Sequence, residues 1–142
     1  MSDFRPSGFS VLPTVVKNLL IINVLFFLAT IACDMVLRID LADYLGLHYI
    51  GASDFQPYQL VTYMFMHGNF AHLFFNMFAL WMFGNTLENI WGANRFLLFY
   101  FVCGIGAGLV QELVQYIQYV TTLQGYENVR IAANQIIPMS QY

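Results

Sequence analysis

Long apolar runs alternate with shorter polar stretches along the chain. The first run extends from Val15 to Leu37 and contains few polar residues. An α-helix needs about 20 residues to cross about 30 Å of hydrocarbon, so this run is long enough. Two further apolar stretches cover 70–90 and roughly 96–119. The pattern therefore predicts an all-α polytopic membrane protein with spans at 15–37, 70–90 and 96–119.

The stretch between the first two spans is mixed in character. Leu41, Tyr44, Leu45 and His48 fall at helical spacing within it, which predicts a short amphipathic helix at the membrane interface. Apolar residues return in 60–66, which we interpret as a segment leading into the second span. We therefore expect residues 38–66 to form one interfacial loop.

Hydrophobic density drops after Thr121, and Pro138 lies close to the last residue. We expect a C-terminal loop over 121–142, which either is a polar C-terminus or leads to further helices. Residues 1–142 are accordingly expected to form one membrane domain.

Composition supports lipid as the main solvent of the chain. Charged residues make up 9% of it and hydrophobic residues 59%, whereas soluble domains carry about 25% charged residues. The net charge of −3 provides no basic patch, which argues against nucleic acid as a partner. Cys33 and Cys103 lie inside apolar runs, so buried thiols are favoured over a disulfide or a metal site.

Basic residues predict the orientation of the chain in the membrane. Arg5 and Lys17 precede the first span, and Arg95 lies between the second and third. Because cytoplasmic loops carry an excess of Lys and Arg, this placement favours a cytoplasmic N-terminus. His67 would then lie on the external side.

The second span carries the candidate chemistry. His72 and Asn76 are four residues apart and so lie on one helical face, while His67 precedes the helix. Polar residues are costly in a membrane and are functional candidates by default. They could stabilise an oxyanion, or they could simply hydrogen-bond to neighbouring helices. A proton relay would need ionisable groups at several depths, and the spacing of five between the histidines, without a nearby carboxylate, disfavours a metal site.

Two glycines mark the third span. Gly104 and Gly108 form a small-xxx-small pair, which permits close approach by another helix. Such pairs are common in apolar helices, so this one predicts packing only.

A wider set of motifs surrounds the two histidines. The segments are Phe55-Gln-Pro-Tyr-Gln-Leu-Val-Thr-Tyr-Met-Phe-Met-His67, His72-x-x-x-Asn76, Leu80-Trp-Met-Phe-Gly84, Leu87-Glu88 and Trp91-Gly92-x-x-Arg95-Phe96. Together they resemble the rhomboid intramembrane serine proteases, over the first three spans of that family. The resemblance implies a rhomboid-like helical bundle, here truncated to about three transmembrane helices.

The resemblance also implies roles for matching positions. His72 and Asn76 would stabilise the oxyanion, and His67 would hold the external loop and the top of the second span. Glu88 would be a structural hydrogen-bonding residue near the cytoplasmic end. Residues 38–58 would dip into the membrane, although this chain lacks the Trp-Arg pair that many members carry there, so we expect its loop to be anchored differently. No cofactor or metal is implied.

The remaining expectations come from what the motif set lacks. This sequence contains no Gly-x-Ser-Gly motif for the nucleophile and no later histidine for the base, and Ser140 has no neighbouring glycine. The resemblance thus predicts an intramembrane endopeptidase acting on transmembrane helices of membrane proteins, present here as an inactive fragment. The alternative is a catalytically inactive rhomboid-like protein that binds client helices. We expect an integral membrane protein of the bacterial plasma membrane in either case.

Overall fold

The computed structural model describes residues 10–136, and no strand occurs within that range. Five α-helices follow one another: α1 (Thr14–Ala32), α2 (Ala42–Leu45), α3 (Gln59–Thr62), α4 (Phe70–Trp91) and α5 (Ala93–Ile136). Helices α1, α4 and α5 pack together, and the short helices belong to the segment that connects α1 to α4.

Helix α1 covers the stretch predicted as the first span. A π-helical turn over Cys33–Leu37 extends it, and Arg38 then ends it in the left-handed conformation with φ of 55°. Pro13 precedes the helix and provides no side-chain cap, because its side chain has no hydrogen-bond acceptor. The first amides of α1 therefore need acceptors from elsewhere in the molecule.

The segment between α1 and α4 is folded rather than extended. Helix α2 is shorter than the amphipathic helix predicted around Leu41 to His48, because Gly46 ends it with an extended backbone. Helix α3 continues as a 3₁₀ turn over Tyr63–Phe65, which accounts for the lead-in segment predicted at 60–66.

Helix α5 differs from its prediction at both ends. It starts at Ala93, directly after Gly92, whose φ of 84° suits a residue without a side chain. It then continues to Ile136. The prediction of a C-terminal loop is therefore wrong for residues 121–136. Polar residues such as Gln124, Glu127 and Arg130 lower the hydropathy of this stretch but favour helix, and no proline interrupts it before Pro138. Residues 137–142 of the predicted loop lie outside the described range.

The buried core is small and lies where the three long helices meet. Val16, Leu19 and Phe96 form its centre. Most large apolar side chains of α1, α4 and α5 remain exposed on the helix surfaces. Such extensive apolar exposure fits a protein whose outer surface contacts lipid.

Two of the described helices are long and apolar enough to cross a membrane. They cover Thr14–Leu37 and Ala93–Ile131. Helix α4 has 22 residues, which is sufficient length, but its hydropathy is lowered by polar residues such as His72, Asn76 and Glu88. The count of three spans therefore stays a prediction.

Candidate functional site

The N-terminus of α4 is fixed by Asn69. Its side-chain Oδ1 accepts a hydrogen bond of 2.8 Å from the backbone amide of His72, and Asn69 itself has an extended backbone. Asn is a favoured N-cap residue for this reason. The cap holds His72 in the first turn of the helix. Asn69 was not among the predicted site residues, although an Asn directly before an apolar run is a recognisable helix-start signal.

His72 and Asn76 project from one face of α4, one turn apart. Both residues are exposed, and neither side chain has a hydrogen-bond partner among the described residues. Asn76 lines a groove of about 470 Å³, whereas His72 lies outside the groove lining. Two polar side chains without protein partners are therefore available to a further group at this end of the helix.

His67 is buried, with 5% of its surface exposed, and it also lines the groove. Its Nδ1 lies 3.1 Å from the carbonyl oxygen of Phe65, so Nδ1 carries the proton in the neutral ring and donates it to that carbonyl. Its ring centroid is 5.2 Å from that of His72. The structure thus brings together the three polar residues that the sequence singled out.

Burial lowers the pKa of His67 below its ordinary value of 6.5. The hydrogen bond to Phe65 opposes this shift, and the charge of a protonated His72 adds to it. Because desolvation penalises the charged form, the neutral imidazole is the favoured state of His67 at pH 7.

The groove lies between α1, α4 and α5 and is mainly apolar. Its polar lining includes Asn23 from the middle of α1 and Tyr63 from the 3₁₀ turn. Asn23 is fully buried; its amide nitrogen donates to the carbonyl oxygen of Leu19 at 2.7 Å, but its Oδ1 lacks a partner in the described part of the chain. A single Asn in an apolar run gives too weak a signal to predict this placement.

Glu88 joins the far end of α4 to the start of α1. It is buried, with 6% exposed, and its Oε1 and Oε2 accept hydrogen bonds from the amides of Val15 at 2.9 Å and Val16 at 2.8 Å. The carboxylate therefore caps the helix that Pro13 leaves uncapped, and its charge is favourable at the positive end of the helix dipole.

The glycine pair of α5 packs against the 3₁₀ turn and not against a spanning helix. A Cβ at Gly104 would overlap the side chain of Met64, and a Cβ at Gly108 would lie 3.1 Å from the ring of Tyr63. The Tyr63 hydroxyl also donates a hydrogen bond to the carbonyl oxygen of Gly104. We call this surface, formed by Gly104 and Gly108, the glycine notch.

Over the described range, no three His, Cys, Asp or Glu residues are grouped so that they could hold a metal ion.

Comparison with known proteins identifies the family. Residues 54–125 match the family model of the Rhomboid domain. The chain is 44% identical over 48 residues to the rhomboid protease GluP of Bacillus subtilis, covering 34% of this chain and 10% of that protein. It is 30% identical over 105 residues to rhomboid-like protease 1 of Toxoplasma gondii, covering 70% of this chain and 36% of the relative.

Plants also contain a relative. Rhomboid-like protein 11 of Arabidopsis thaliana, named as chloroplastic, is 44% identical over 57 residues, which is 40% of this chain and 20% of that protein. The chain thus spans little more than a third of the length of these relatives at most. No solved structure matches it significantly. The family model covers half of the chain, and the matched range includes His67, His72, Asn76 and Glu88. The apolar helices agree with a membrane protein. The chain therefore belongs to the rhomboid family of integral membrane proteins.

Proposed function

We propose that the chain is part of a rhomboid-type intramembrane serine endopeptidase that cleaves transmembrane segments of membrane proteins. In this proposal His72 and Asn76 donate hydrogen bonds to the oxyanion that develops during acyl transfer. Residues beyond this sequence would provide the nucleophile and the base. The N-terminus would lie in the cytoplasm, so that cleavage occurs towards the external side.

The observation that carries the proposal is the pair of unpartnered polar side chains at the start of α4. His72 and Asn76 are held by a capped first turn and have no hydrogen-bond partner among the described residues. Polar groups in a membrane protein that lack partners are costly, which favours a role over simple packing. Fixed donors of this kind stabilise an oxyanion by about 3–4 kcal/mol each.

The mechanism assigns a separate task to each residue. His72 and Asn76 would contact the oxyanion, and neutral His67 would support the top of α4 through its bond to Phe65. Glu88 would keep the opposite end of α4 attached to α1. Without a nucleophile and a base, an oxyanion site binds a transition state but does not form the acyl-enzyme. The 142 residues alone are therefore proposed to be inactive.

The coding sequence downstream of Tyr142 tests this proposal. We expect it to continue in frame into a helix that carries Gly-x-Ser-Gly and into a later helix that carries a histidine. In the protein so encoded, His72→Ala and Asn76→Ala should each reduce kcat by about 100- to 1,000-fold. An in-frame stop without such helices would reject the protease proposal.

A second candidate is a catalytically inactive protein that binds client helices. The groove between α1, α4 and α5 favours it, because its volume of about 470 Å³ and its mostly apolar lining suit an apolar segment. A photocrosslinking residue placed at Ala107, which lines the groove, distinguishes the two candidates in membranes. Capture of client helices by a chain that ends at Tyr142 in cells would support the binding role.

A further inference from the structure

The loop between α1 and α4 is organised by a buried glutamine. Gln59 is 1% exposed, and its Oε1 accepts the amides of His48 at 3.4 Å and Gln56 at 3.1 Å. Its Nε2 donates to the carbonyl oxygens of Tyr44 at 3.3 Å and Asp54 at 3.1 Å. A glutamine amide has two acceptor sites and two donor hydrogens, so all of its capacity is used. One neutral side chain thus links the backbone of four loop residues by hydrogen bonds.

A second attachment joins this loop to α5. Glu112 is 8% exposed, and its Oε2 accepts a 2.7 Å hydrogen bond from the amide of Ile50, which is 62 residues away in sequence. Its Oε1 is buried without a partner in the described part of the chain. The ring of Tyr49 lies 6.2 Å from that of Tyr119, next to the same contact. A buried carboxylate that bonds a single backbone amide is not explained by packing alone.

The two attachments lie on a continuous path to the candidate site. Thr62, three residues after Gln59, donates from Oγ1 to the carbonyl oxygen of Leu45 at 2.7 Å. The next two residues, Tyr63 and Met64, enter the glycine notch of α5. Phe65 then provides the carbonyl that fixes the tautomer of His67. A displacement of the loop along α5 would therefore also displace His67, because only a few residues separate them.

We propose that Gln59 and Glu112 are positioning residues that clamp residues 44–63 onto α5 and thereby set the tautomer and position of His67. Gln59 makes the loop rigid, and Glu112 fixes it to the helix. The importance of this clamp for catalysis rests on the proposed function, but the clamp itself is a property of the chain and is tested without any activity.

The test is hydrogen exchange and histidine NMR on the 142-residue chain in lipid nanodiscs. Glu112→Gln keeps a carbonyl oxygen at the same reach, so it should retain the protection of the Ile50 amide. Glu112→Asp keeps the charge but shortens the side chain by one methylene, so it should lose the bond, and exchange at Ile50 should accelerate about tenfold or more. Gln59→Leu should accelerate exchange of the amides of His48 and Gln56 by a similar factor.

The NMR signal of His67 is the measurement that separates positioning from general stability. In the wild type and in Glu112→Gln we expect the Nδ1-protonated tautomer alone. In Glu112→Asp and Gln59→Leu we expect a mixture of tautomers, with unchanged far-UV circular dichroism. Glu127→Asp is the matched control, because Glu127 lies on the exposed part of the same helix and should leave both signals unchanged.

Each outcome has a defined meaning. Unchanged hydrogen exchange at the Ile50 amide in Glu112→Asp would reject the clamp. The clamp would also be rejected if Glu112→Gln lost as much protection of this amide as Glu112→Asp. An unchanged His67 tautomer in both disrupting variants would reject the positioning role. None of these results depends on whether a nucleophile is encoded downstream, so the clamp and the protease proposal fail separately.

Discussion

Removal of the Glu88 carboxylate should destabilise the bundle more than any other single polar substitution that we consider. Glu88 accepts two backbone hydrogen bonds, from Val15 and Val16, in a site that is 94% buried. Hydrogen bonds to a charged acceptor contribute about 1.5–3 kcal/mol each. Glu88→Ala loses both bonds, so the free energy of unfolding should fall by roughly 3–6 kcal/mol. Glu88→Gln keeps one carbonyl oxygen and should lose about half as much.

Steric trapping or SDS-induced unfolding in bicelles measures these differences. Glu127→Ala is the control, because Glu127 is exposed and pairs with Arg130 at 3.4 Å on the surface of α5. A pair of this kind contributes at most about 1 kcal/mol. Loss of α1 helicity should accompany the Glu88 variants, since no other side chain in the described part of the molecule caps the first amides of α1. If Glu88→Ala and Glu127→Ala destabilised the protein equally, by less than about 1 kcal/mol, the capping account would be refuted.

Three further predictions follow from the site and its surroundings. Gly108→Ala places a Cβ 3.1 Å from the ring of Tyr63, whose hydroxyl is held by the carbonyl of Gly104, and should destabilise the bundle by about 1 kcal/mol. Gly106→Ala meets no atom within 4 Å and should be neutral or slightly stabilising. Equal melting temperatures of the two variants would contradict the close packing at the glycine notch. The pKa of His67 is lowered in the folded chain, so the unfolded chain binds the proton first and the free energy of unfolding should fall as pH decreases below about 6.5. His67→Asn should reduce this pH dependence. The same pH profile in the wild type and the variant would contradict the lowered pKa. A fluorophosphonate serine probe should not label the 142-residue chain, and labelling at Ser140 would overturn the site assignment.

The helical pattern was largely predictable because the apolar runs are long. The runs starting at Val15 and Phe70 gave helices close to their predicted limits. The end of α5 could not be predicted in this way, since hydropathy reports the solvent around a helix and not whether the backbone stays helical. Gln124, Glu127 and Arg130 reduce the hydropathy of 121–136 but are good helix formers.

The candidate site was predictable only in part, for a related reason. Helical spacing placed His72 and Asn76 on one face from local sequence alone. The two partners of Glu88 are more than 70 residues away in sequence, and the single partner of Glu112 is 62 residues away, so no local pattern could reveal them. The spacing of Gly104 and Gly108 predicted a close neighbour, but only the packed structure identifies Tyr63 and Met64 as that neighbour.

A graft into an active rhomboid protease tests whether His72 and Asn76 of this chain stabilise an oxyanion. Residues 54–125 of this chain would replace the matching segment of that protease, and cleavage of a transmembrane substrate would be measured in proteoliposomes. We expect the graft to cleave the substrate and to be labelled by a serine probe. Its His72→Ala and Asn76→Ala variants should keep the far-UV circular dichroism of the graft while kcat falls about 100- to 1,000-fold. A folded graft that cleaves equally well with both side chains removed would contradict the claim that these residues stabilise the oxyanion.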